Sequence, residues 1–331
     1  MSQKILLSHG SGGKLMNEFI NEIIREILGP QAIQLDDSAV LKVNSQIAFT
    51  TDSFTVDPIF FPGGDIGKLA VNGTVNDLAV MGAEPLYLSC ALILEEGLEL
   101  DVLKKILFSM REAAEYAGVK IVTGDTKVVE SGKVDKIFIN TAGIGIFKKK
   151  LQRGLIKPDD KVIINGSIGE HGIAVIAKRN NIGVENLVSD CAPLNHLIKK
   201  IIDICPEGIK FMRDATRGGL AAILNEIVQD KKFSIKLYEE RIPVKEEVRG
   251  ICELLGLDPL YVANEGKVVV IVAPECAKEV LLAMKEVKEG KEAVVIGEVT
   301  EEFPGSVYLE TVIGSKRPVP MPIGEQLPRI C

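Results

Sequence analysis

Aspartates beside small or turn-forming residues recur along the chain and are the first candidates for chemistry. They lie in segments reading DDSA, TTDS, VND, TGDT and RDAT, and they are Asp36, Asp37, Asp52, Asp77, Asp125 and Asp214. Two carboxylates about 4 Å apart repel by roughly 4 kcal/mol at an effective dielectric of about 20, so a converging cluster needs a cation. Carboxylate oxygens suit Mg²⁺, which often carries nucleotide phosphates. The alternative is a set of solvated turn aspartates, the commonest setting for this residue.

Two glycine-rich segments could hold phosphate through backbone N–H groups. Residues 10–14 read GSGGK, but Ser8 stands where a P-loop has its first glycine, and leucine follows the lysine. Gly12 and Lys14 remain candidates, because a glycine-rich segment that opens a helix can still bind an anion. Gly218, in the run TRGG, is a candidate of the same kind.

Two single charged residues and one histidine stand in suitable contexts. Lys127 follows Gly-Asp-Thr and is within reach of a phosphate bound there, while Glu265 lies between turn-forming residues before a strand. Either residue alone would ordinarily be a surface charge. His9, His171 and His196 show no metal-ligand spacing, and only His171, flanked by glycines, is a candidate for lining a site.

The last fifteen residues form a proline-rich arm that ends in a thiol. Four prolines between 317 and 331 exclude an ordinary helix or a central strand. At roughly 3 Å per residue, such an extended arm reaches about 40 Å. A disordered terminus is the alternative, but the final residue is Cys331, whose thiolate form is a nucleophile. The other five cysteines have no C-x-x-C spacing and are expected to be buried thiols without disulfides.

Hydrophobic periodicity predicts an α/β chain with two domains. Helices are predicted over 14–28, 65–81, 99–117, 170–180, 193–203, 217–228, 245–255 and 276–288. Strands are predicted around 47–51, 86–94, 120–123, 137–147, 161–165, 234–238, 267–272, 293–299 and 306–310. A charged stretch from 148 to 160 reads as an exposed connection and marks the domain boundary.

Composition narrows the function classes. A net charge of −7 argues against an electrostatic nucleic-acid binder, which needs a basic face. The first apolar run is too short for a signal peptide, and the most apolar region, 69–94, is interrupted by polar residues. We therefore expect a cytoplasmic protein.

These motifs, in this order, resemble the HypE family of hydrogenase maturation proteins, within the PurM-like (aminoimidazole ribonucleotide synthetase-related) ATP-binding superfamily. The resemblance runs over nearly the whole chain, through HGSGGK, DDSAV, TTDSF, GTVNDL, TGDTK, RDATRGGL and ANEGK, and ends in PRIC at 328–331. The aspartate and glycine motifs indicate only the superfamily. The terminal PRIC indicates the HypE family.

The resemblance implies a PurM-like architecture with an N-terminal ATP-binding and dimerising sheet domain (1–148), a C-terminal α/β domain (149–312) and a flexible tail (313–331). It implies ATP and Mg²⁺ as cofactors and a homodimer. It also implies that a carbamoyltransferase, HypF, loads a carbamoyl group onto Cys331, which is then dehydrated to a thiocyanate with formation of ADP and phosphate. The cyanide would pass to iron on a HypC–HypD scaffold, for [NiFe]-hydrogenase.

Residue roles follow from that chemistry as hypotheses. Mg²⁺ ligation falls to Asp37, Asp52, Asp77 and Asp125, and nucleotide binding to these together with Asp36, Asp214, Gly12, Lys14 and Gly218. Lys127 would stabilise charge and Glu265 would remove the amide proton, with the substrate on Cys331. Two alternatives stay open: another superfamily enzyme acting on a free small molecule, such as a purine-pathway synthetase, selenophosphate synthetase or thiamine-phosphate kinase, and a non-catalytic thiol carrier.

Overall fold

Two main sheets, of four and seven strands, organise the protein. The computed structural model describes residues 4–6, 19–28, 46–147, 155–323, 327 and 329–331. The helices are α1 (Glu26–Leu28, continuing a π-helical Ile20–Arg25), α2 (Ile66–Val80), α3 (Leu100–Ala117), α4 (Glu170–Arg179), α5 (Asn195–Ile204), α6 (Gly219–Val228), α7 (Glu246–Leu255) and α8 (Pro274–Lys285). In the described ranges, 3₁₀ turns lie at Glu239–Arg241, Pro259–Tyr261 and Lys288–Gly290.

The strands confirm the α/β class predicted from the sequence. They are β1 (Ile47–Phe54), β2 (Phe60–Phe61), β3 (Gly64–Asp65), β4 (Glu84–Glu95), β5 (Lys120–Val129), β6 (Ile137–Ile146), β7 (Lys161–Ile164), β8 (Ile209–Asp214), β9 (Ser234–Tyr238), β10 (Val268–Val272), β11 (Val294–Thr300), β12 (Val307–Glu310) and β13 (Lys316–Pro318). Strands β2 and β3 form a separate hairpin.

The four-stranded sheet has the order β1-β6-β4-β5 and carries α2 and α3 on one face. Helix α2 begins where the Asp65 carboxylate accepts hydrogen bonds from the N–H groups of Gly67 and Lys68. Helix α3 buries Leu103, Ile106 and other apolar residues at helical spacing. None of the described elements covers the other, open face of the sheet, and its exposure bears on assembly.

The seven-stranded sheet has the order β13-β12-β9-β11-β7-β10-β8 and separates two apolar clusters. Its strand β10 reads VVVIV and is buried throughout, as expected for a strand covered on both faces. Helix α6 belongs to the cluster on one side, and α5 and α8 belong to the cluster on the other. Neighbouring strands are antiparallel except β9 and β12, which are parallel.

The structure adds features that the sequence patterns did not predict. Strand β8 was missed because its sequence, IKFMRD, mixes charged and apolar residues without a period-two pattern, as an edge strand beside β10 can. Strand β5 runs six residues beyond the predicted Thr123. Cys205 and Cys276 form a disulfide, so the expectation that both are free thiols is wrong. No helix in the described ranges is long and apolar enough to cross a bilayer.

The described part of the proline-rich tail contacts the protein at separate points, while residues between them are exposed. Residues Lys316–Pro318 form the edge strand β13, where proline is tolerated because that side of the strand needs no donor. The next residue, Val319, is buried, and its N–H donates to the Val307 carbonyl at 2.9 Å. The chain end, Arg329–Cys331, reaches the junction between the two sheets.

Candidate active site

The last three residues pair with the chain just beyond β1. The Thr55 N–H and hydroxyl donate to the backbone oxygen of Cys331 at 3.1 and 3.2 Å. The Asp57 N–H donates to the Arg329 carbonyl at 3.2 Å, and the Arg329 Nε donates back to the Thr55 carbonyl at 3.0 Å. The chain terminus is thus held in the manner of a short added strand.

Helix α4 of the other sheet domain holds the opposite side of the tail. His171 Nε2 lies 2.9 Å from the Ile330 carbonyl oxygen, and Arg179 Nη2 donates to the Arg329 carbonyl at 2.7 Å. The Ile330 side chain is only 3% exposed. The terminal cysteine is therefore fixed between elements of both halves of the molecule.

Cys331 lines a cavity of about 570 Å³ at this junction. The wall includes Ser53 at the end of β1, Arg217 and Gly218 before α6, and Tyr261. Gly218 adopts φ +74°, and a Cβ there would lie 2.6 Å from the Ala222 Cβ. Glycine is therefore required where the chain turns into α6 beside the cavity.

Two of the predicted aspartates, Asp77 of α2 and Asp52 of β1, lie where the helix packs on the strand. The Thr50 hydroxyl on β1 donates to Asp77 of α2 at 2.9 Å, while Asp52, two residues along the strand, lies on the same face. Burial raises the pKa of Asp52, and burial together with the Asp52 charge raises the pKa of Asp77. The Arg217 guanidinium partly offsets both shifts.

Asp214 and Glu265 complete this acidic cluster. Burial, with the charges of Asp77 and Asp52, raises the pKa of Asp214 to about 7. Burial and the neighbouring charges, Asp214 foremost, raise the pKa of Glu265 well above its ordinary value. Asn76 fixes the Glu265 segment by donating to its carbonyl at 3.2 Å. The structure therefore concentrates negative charge that the protein's own cations do not fully balance.

The docked thiol of Cys331 is held in its neutral form. Burial, reinforced by the Glu265 charge, raises the pKa of this thiol to about 12, although Arg217 opposes the shift. The guanidinium of Arg329, two residues before Cys331, contacts Asp135 and the Thr55 carbonyl. The nearby cation is thus Arg217, and the docked free thiol is a poor nucleophile.

The structure does not bring Asp125 and Lys127 into this cluster within one chain. Across the sheet, Asp125 of β5 stands in one row with Ala91 of β4, Asn140 of β6 and Ser53 of β1. Asp52 stands in the neighbouring row, opposite Thr141 of β6. Because side chains alternate along a strand, Asp125 lies on the open face of the sheet and Asp52 lies on the α2 face. Lys127 forms an exposed ion pair with Asp125 at 2.7 Å, and this hydrogen bond lowers the pKa of Asp125.

The predicted metal set is accordingly not assembled. No three His, Cys, Asp or Glu side chains within the described ranges are grouped so as to hold an ion. Asp36, Asp37, Gly12 and Lys14 lie outside the described residues. The donor chemistry still fits a cation, because the charge of Asp52 raises the pKa of Asp77, both raise the pKa of Asp214, and all three supply the oxygen ligands that Mg²⁺ prefers.

Sequence reasoning missed the residues that receive the tail. Thr55, Arg179 and Arg217 contact the terminal residues or line their cavity, yet none stands in a spacing that predicts this. Arg217 had a weak signal, because it lies in the glycine-rich turn already singled out for Gly218. His171 was singled out for its glycine neighbours, and it contacts the tail.

Comparison with known families accounts for most of the chain. Residues 35–147 match the family described as AIR synthase related protein, N-terminal domain. Residues 157–310 match the corresponding C-terminal domain.

Similar proteins of known identity cover almost the full length. A carbamoyl dehydratase HypE from Rhodobacter capsulatus is 46% identical over 336 residues, which span 99% of this chain and 98% of that protein. A crystal structure of hydrogenase maturation protein HypE in complex with ATP superposes with a TM-score of 0.93 at 44% identity, covering 98% and 99% of the two chains. The structure of a HypE–HypF complex matches with a TM-score of 0.79 at 49% identity, covering 92% and 99%.

Proposed function

This chain belongs to the AIR synthase related family and, within it, to the HypE carbamoyl dehydratases of hydrogenase maturation, and we propose that it uses ATP to dehydrate a carbamoyl group carried on its own Cys331. The observation that carries this proposal is the docking of Cys331 in a cavity beside Glu265 and Arg217. A substrate tethered at that position meets the catalytic groups without a bimolecular encounter, which removes a large entropic barrier.

The reaction balances as a phosphorylation followed by elimination. The substrate is the thiocarboxamide Cys331–S–C(=O)–NH₂, whose oxygen is a poor leaving group. That oxygen takes the γ-phosphoryl group of ATP, which releases ADP, and one N–H proton is lost. The second N–H proton leaves as the C–O bond breaks, so the products are a thiocyanate on Cys331 and phosphate. Cyanide for the iron of [NiFe]-hydrogenase derives from this thiocyanate.

We assign the proton removal to Glu265. Its carboxylate is buried, its charge acts directly on the Cys331 thiol, and its pKa is raised. A carboxylate with a raised pKa is a stronger base than an exposed one, so it holds the proton taken from the amide nitrogen more firmly. Arg217 lines the same cavity and supplies positive charge where phosphate forms.

We propose that Mg²⁺ accompanies ATP at the acidic cluster. One or two of the carboxylates of Asp52, Asp77 and Asp214 would ligate it alongside the phosphates, since the unbalanced charge of this cluster favours a divalent cation. When bound, the ion neutralises phosphate charge during transfer, which is the main requirement of phosphoryl-transfer catalysis.

We further propose a homodimer formed through the open face of the four-stranded sheet. That face exposes the apolar side chains of Ile47, Phe49 and Ile93, at 49%, 67% and 40%. Ile47 and Phe49 lie two residues apart on β1 and form the apolar end of this face, and exposed apolar surface of this kind often marks a protein–protein contact. Asp125 and Lys127 lie on the same face. In a dimer the Lys127 cation would therefore act on phosphates or substrate near the protomer boundary, which agrees with its predicted charge-stabilising role.

Loading and unloading of Cys331 require partners. Because one similar protein is solved as a HypE–HypF complex, we propose that HypF carbamoylates this chain. The docked thiol has its pKa raised to about 12, so the tail must leave the cavity to be loaded and again to pass cyanide to a HypC–HypD iron scaffold. We place these steps in the cytoplasm, and the tail's mobility remains a prediction.

The assignment of Glu265 is tested by Glu265→Gln in protein first carbamoylated by HypF. We expect the carbamoyl adduct to form normally, while its dehydration with Mg-ATP slows by about 100-fold or more, since a general base contributes at least that factor. Mass analysis of the C-terminal peptide follows both steps. The control is Glu253→Gln, which changes an exposed glutamate of α7. Dehydration of the Glu265 variant at the wild-type rate contradicts its role as the base.

A further inference from the structure

His171 occupies a buried position that the chemistry above does not use. It is fully buried in α4, with its ring edge-on to Phe61 at 5.2 Å between centroids. Its Nδ1 lies 2.8 Å from the Ser189 hydroxyl and its Nε2 lies 2.9 Å from the Ile330 carbonyl oxygen. Both ring nitrogens therefore have a hydrogen-bond partner: Nδ1 has the Ser189 hydroxyl, and Nε2 has the carbonyl of Ile330, the residue before Cys331.

The hydrogen bonds fix which nitrogen carries the proton. A carbonyl oxygen can only accept, so His171 Nε2 must be the donor toward Ile330. Nδ1 of the neutral ring then accepts the proton of the Ser189 hydroxyl. The same hydroxyl oxygen accepts the Cys191 N–H at 3.0 Å, so the serine is held in place by its own backbone segment. Burial lowers the pKa of His171, which keeps the ring neutral.

We propose that His171, oriented by Ser189, is a positioning residue that holds the carbamoylated tail in the cavity during dehydration. This inference rests on the proposed function. When the tail leaves, the buried Nε2–H loses its acceptor, and an unpaired buried donor is unfavourable. The pair thus favours the inserted tail and sets the Cys331 sulfur against Glu265 through the short backbone link from Ile330.

The first test measures tail docking without ATP or a carbamoyl group. Iodoacetamide reacts with uncarbamoylated protein, and alkylation of Cys331 is followed in the C-terminal peptide. Cys90, Cys191 and Cys252 are buried, so they give little background. We expect His171→Asn to react about tenfold faster than the wild type, because loss of one buried donor favours the undocked tail. Asparagine replaces Nδ1 but not Nε2.

A conservative variant separates positioning from packing. His171→Gln places an amide N–H near the original Nε2, so it should restore most of the thiol protection and most of the single-turnover dehydration rate. His171→Asn should remain slow in dehydration although HypF carbamoylates it fully. The control is His196→Ala, which also removes a histidine bonded to a backbone carbonyl, that of Tyr116 at 2.8 Å, away from the tail.

Three outcomes decide the proposal. Fast alkylation and slow dehydration in His171→Asn, with recovery in His171→Gln, support it. Wild-type behaviour of His171→Asn in both assays overturns it, and so does equal impairment of the asparagine and glutamine variants, which would indicate a packing role only. If the wild-type protein itself fails to dehydrate its adduct, the proposed function fails, while the alkylation rates still decide whether His171 docks the tail.

Discussion

At the residue scale, burial sets the charge state of the groups around Cys331. The pKa values of Asp52, Asp77, Asp214 and Glu265 are all raised, first of all because burial disfavours their charged forms. The cluster therefore opposes folding wherever it is ionised. This loss of stability is expected of a site that, as we propose, binds Mg²⁺ and phosphate.

The effect of Asp214 on the stability of the protein can be measured. Its pKa rises from 3.8 to about 7 on folding, so the folded protein binds the proton more tightly than the unfolded chain. The contribution of Asp214 to the free energy of unfolding is favourable below pH 3.8 and is lost as the pH rises through about 7. In protein free of nucleotide and Mg²⁺, Asp214→Asn should therefore be more stable than the wild type by roughly 4 kcal/mol above that pH.

Thermal unfolding across the pH range checks this prediction. The difference in melting temperature should grow from acid to neutral pH and then level off. Asp125→Asn serves as the control, since the pKa of Asp125 is lowered by Lys127 and its removal should bring no such gain. A constant difference between Asp214→Asn and the wild type at every pH contradicts the account.

Asp52 and Asp125, which lie on opposite faces of the sheet, show what sequence patterns can and cannot predict. Each aspartate could be singled out from its turn-like neighbours, and so could Glu265. Their convergence could not, because it depends on strand register and on which face α2 covers. One residue of register places Asp125 on the open face, away from Asp52. Similarly, the contacts of Thr55 and Arg179 with the tail join residues too distant in sequence to leave a local signal.

At the element scale, the close contact of α2 with α3 fixes the helix that carries Asp77. Gly67 of α2 lies so close to α3 that a Cβ there would be 2.5 Å from the Ile106 carbonyl oxygen. These helices were predicted within one or two residues, because their apolar periodicity is local. Their close approach depends on Gly67, which an isolated helix pattern would treat only as a weak helix former.

Gly67→Ala should therefore destabilise the protein by about 1–3 kcal/mol, the usual range for forcing extra volume into a packed interior. The matched variant is Gly250→Ala in α7, where a Cβ would meet nothing within 4 Å. That change should be neutral or stabilising by up to about 1 kcal/mol, because alanine is the better helix former. Urea unfolding measures both, and equal effects of the two substitutions would refute close packing at Gly67.

At the scale of the whole molecule, the open sheet face and the docked tail determine assembly and access. The sequence indicated an extended arm, but not that β13 and the final residues would pack onto both sheet domains. The apolar open face was equally hidden, since the exposed residues of β1 alternate with half-buried ones and read as an ordinary amphipathic strand.

If the open face pairs two protomers, Phe49→Glu should produce a monomer, because two buried carboxylates at a dimer interface lack partners. Light scattering coupled to size-exclusion chromatography gives the mass directly. Leu254→Glu is the control, as Leu254 is an apolar residue of α7 with 71% exposure. An unchanged dimer with Phe49→Glu would place the interface elsewhere, and a monomeric wild type would remove the dimer from the account.

The central claim is that Cys331 carries the group that is dehydrated. The most direct test is the intact mass of the wild-type protein after carbamoylation by HypF, before and after addition of Mg-ATP. We predict that the adduct loses one water when Mg-ATP is added, and that Cys331→Ala forms no adduct at all. An adduct on Cys331 that Mg-ATP leaves unchanged would contradict the account and would favour a thiol carrier, or an enzyme of the same superfamily that acts on a free small molecule.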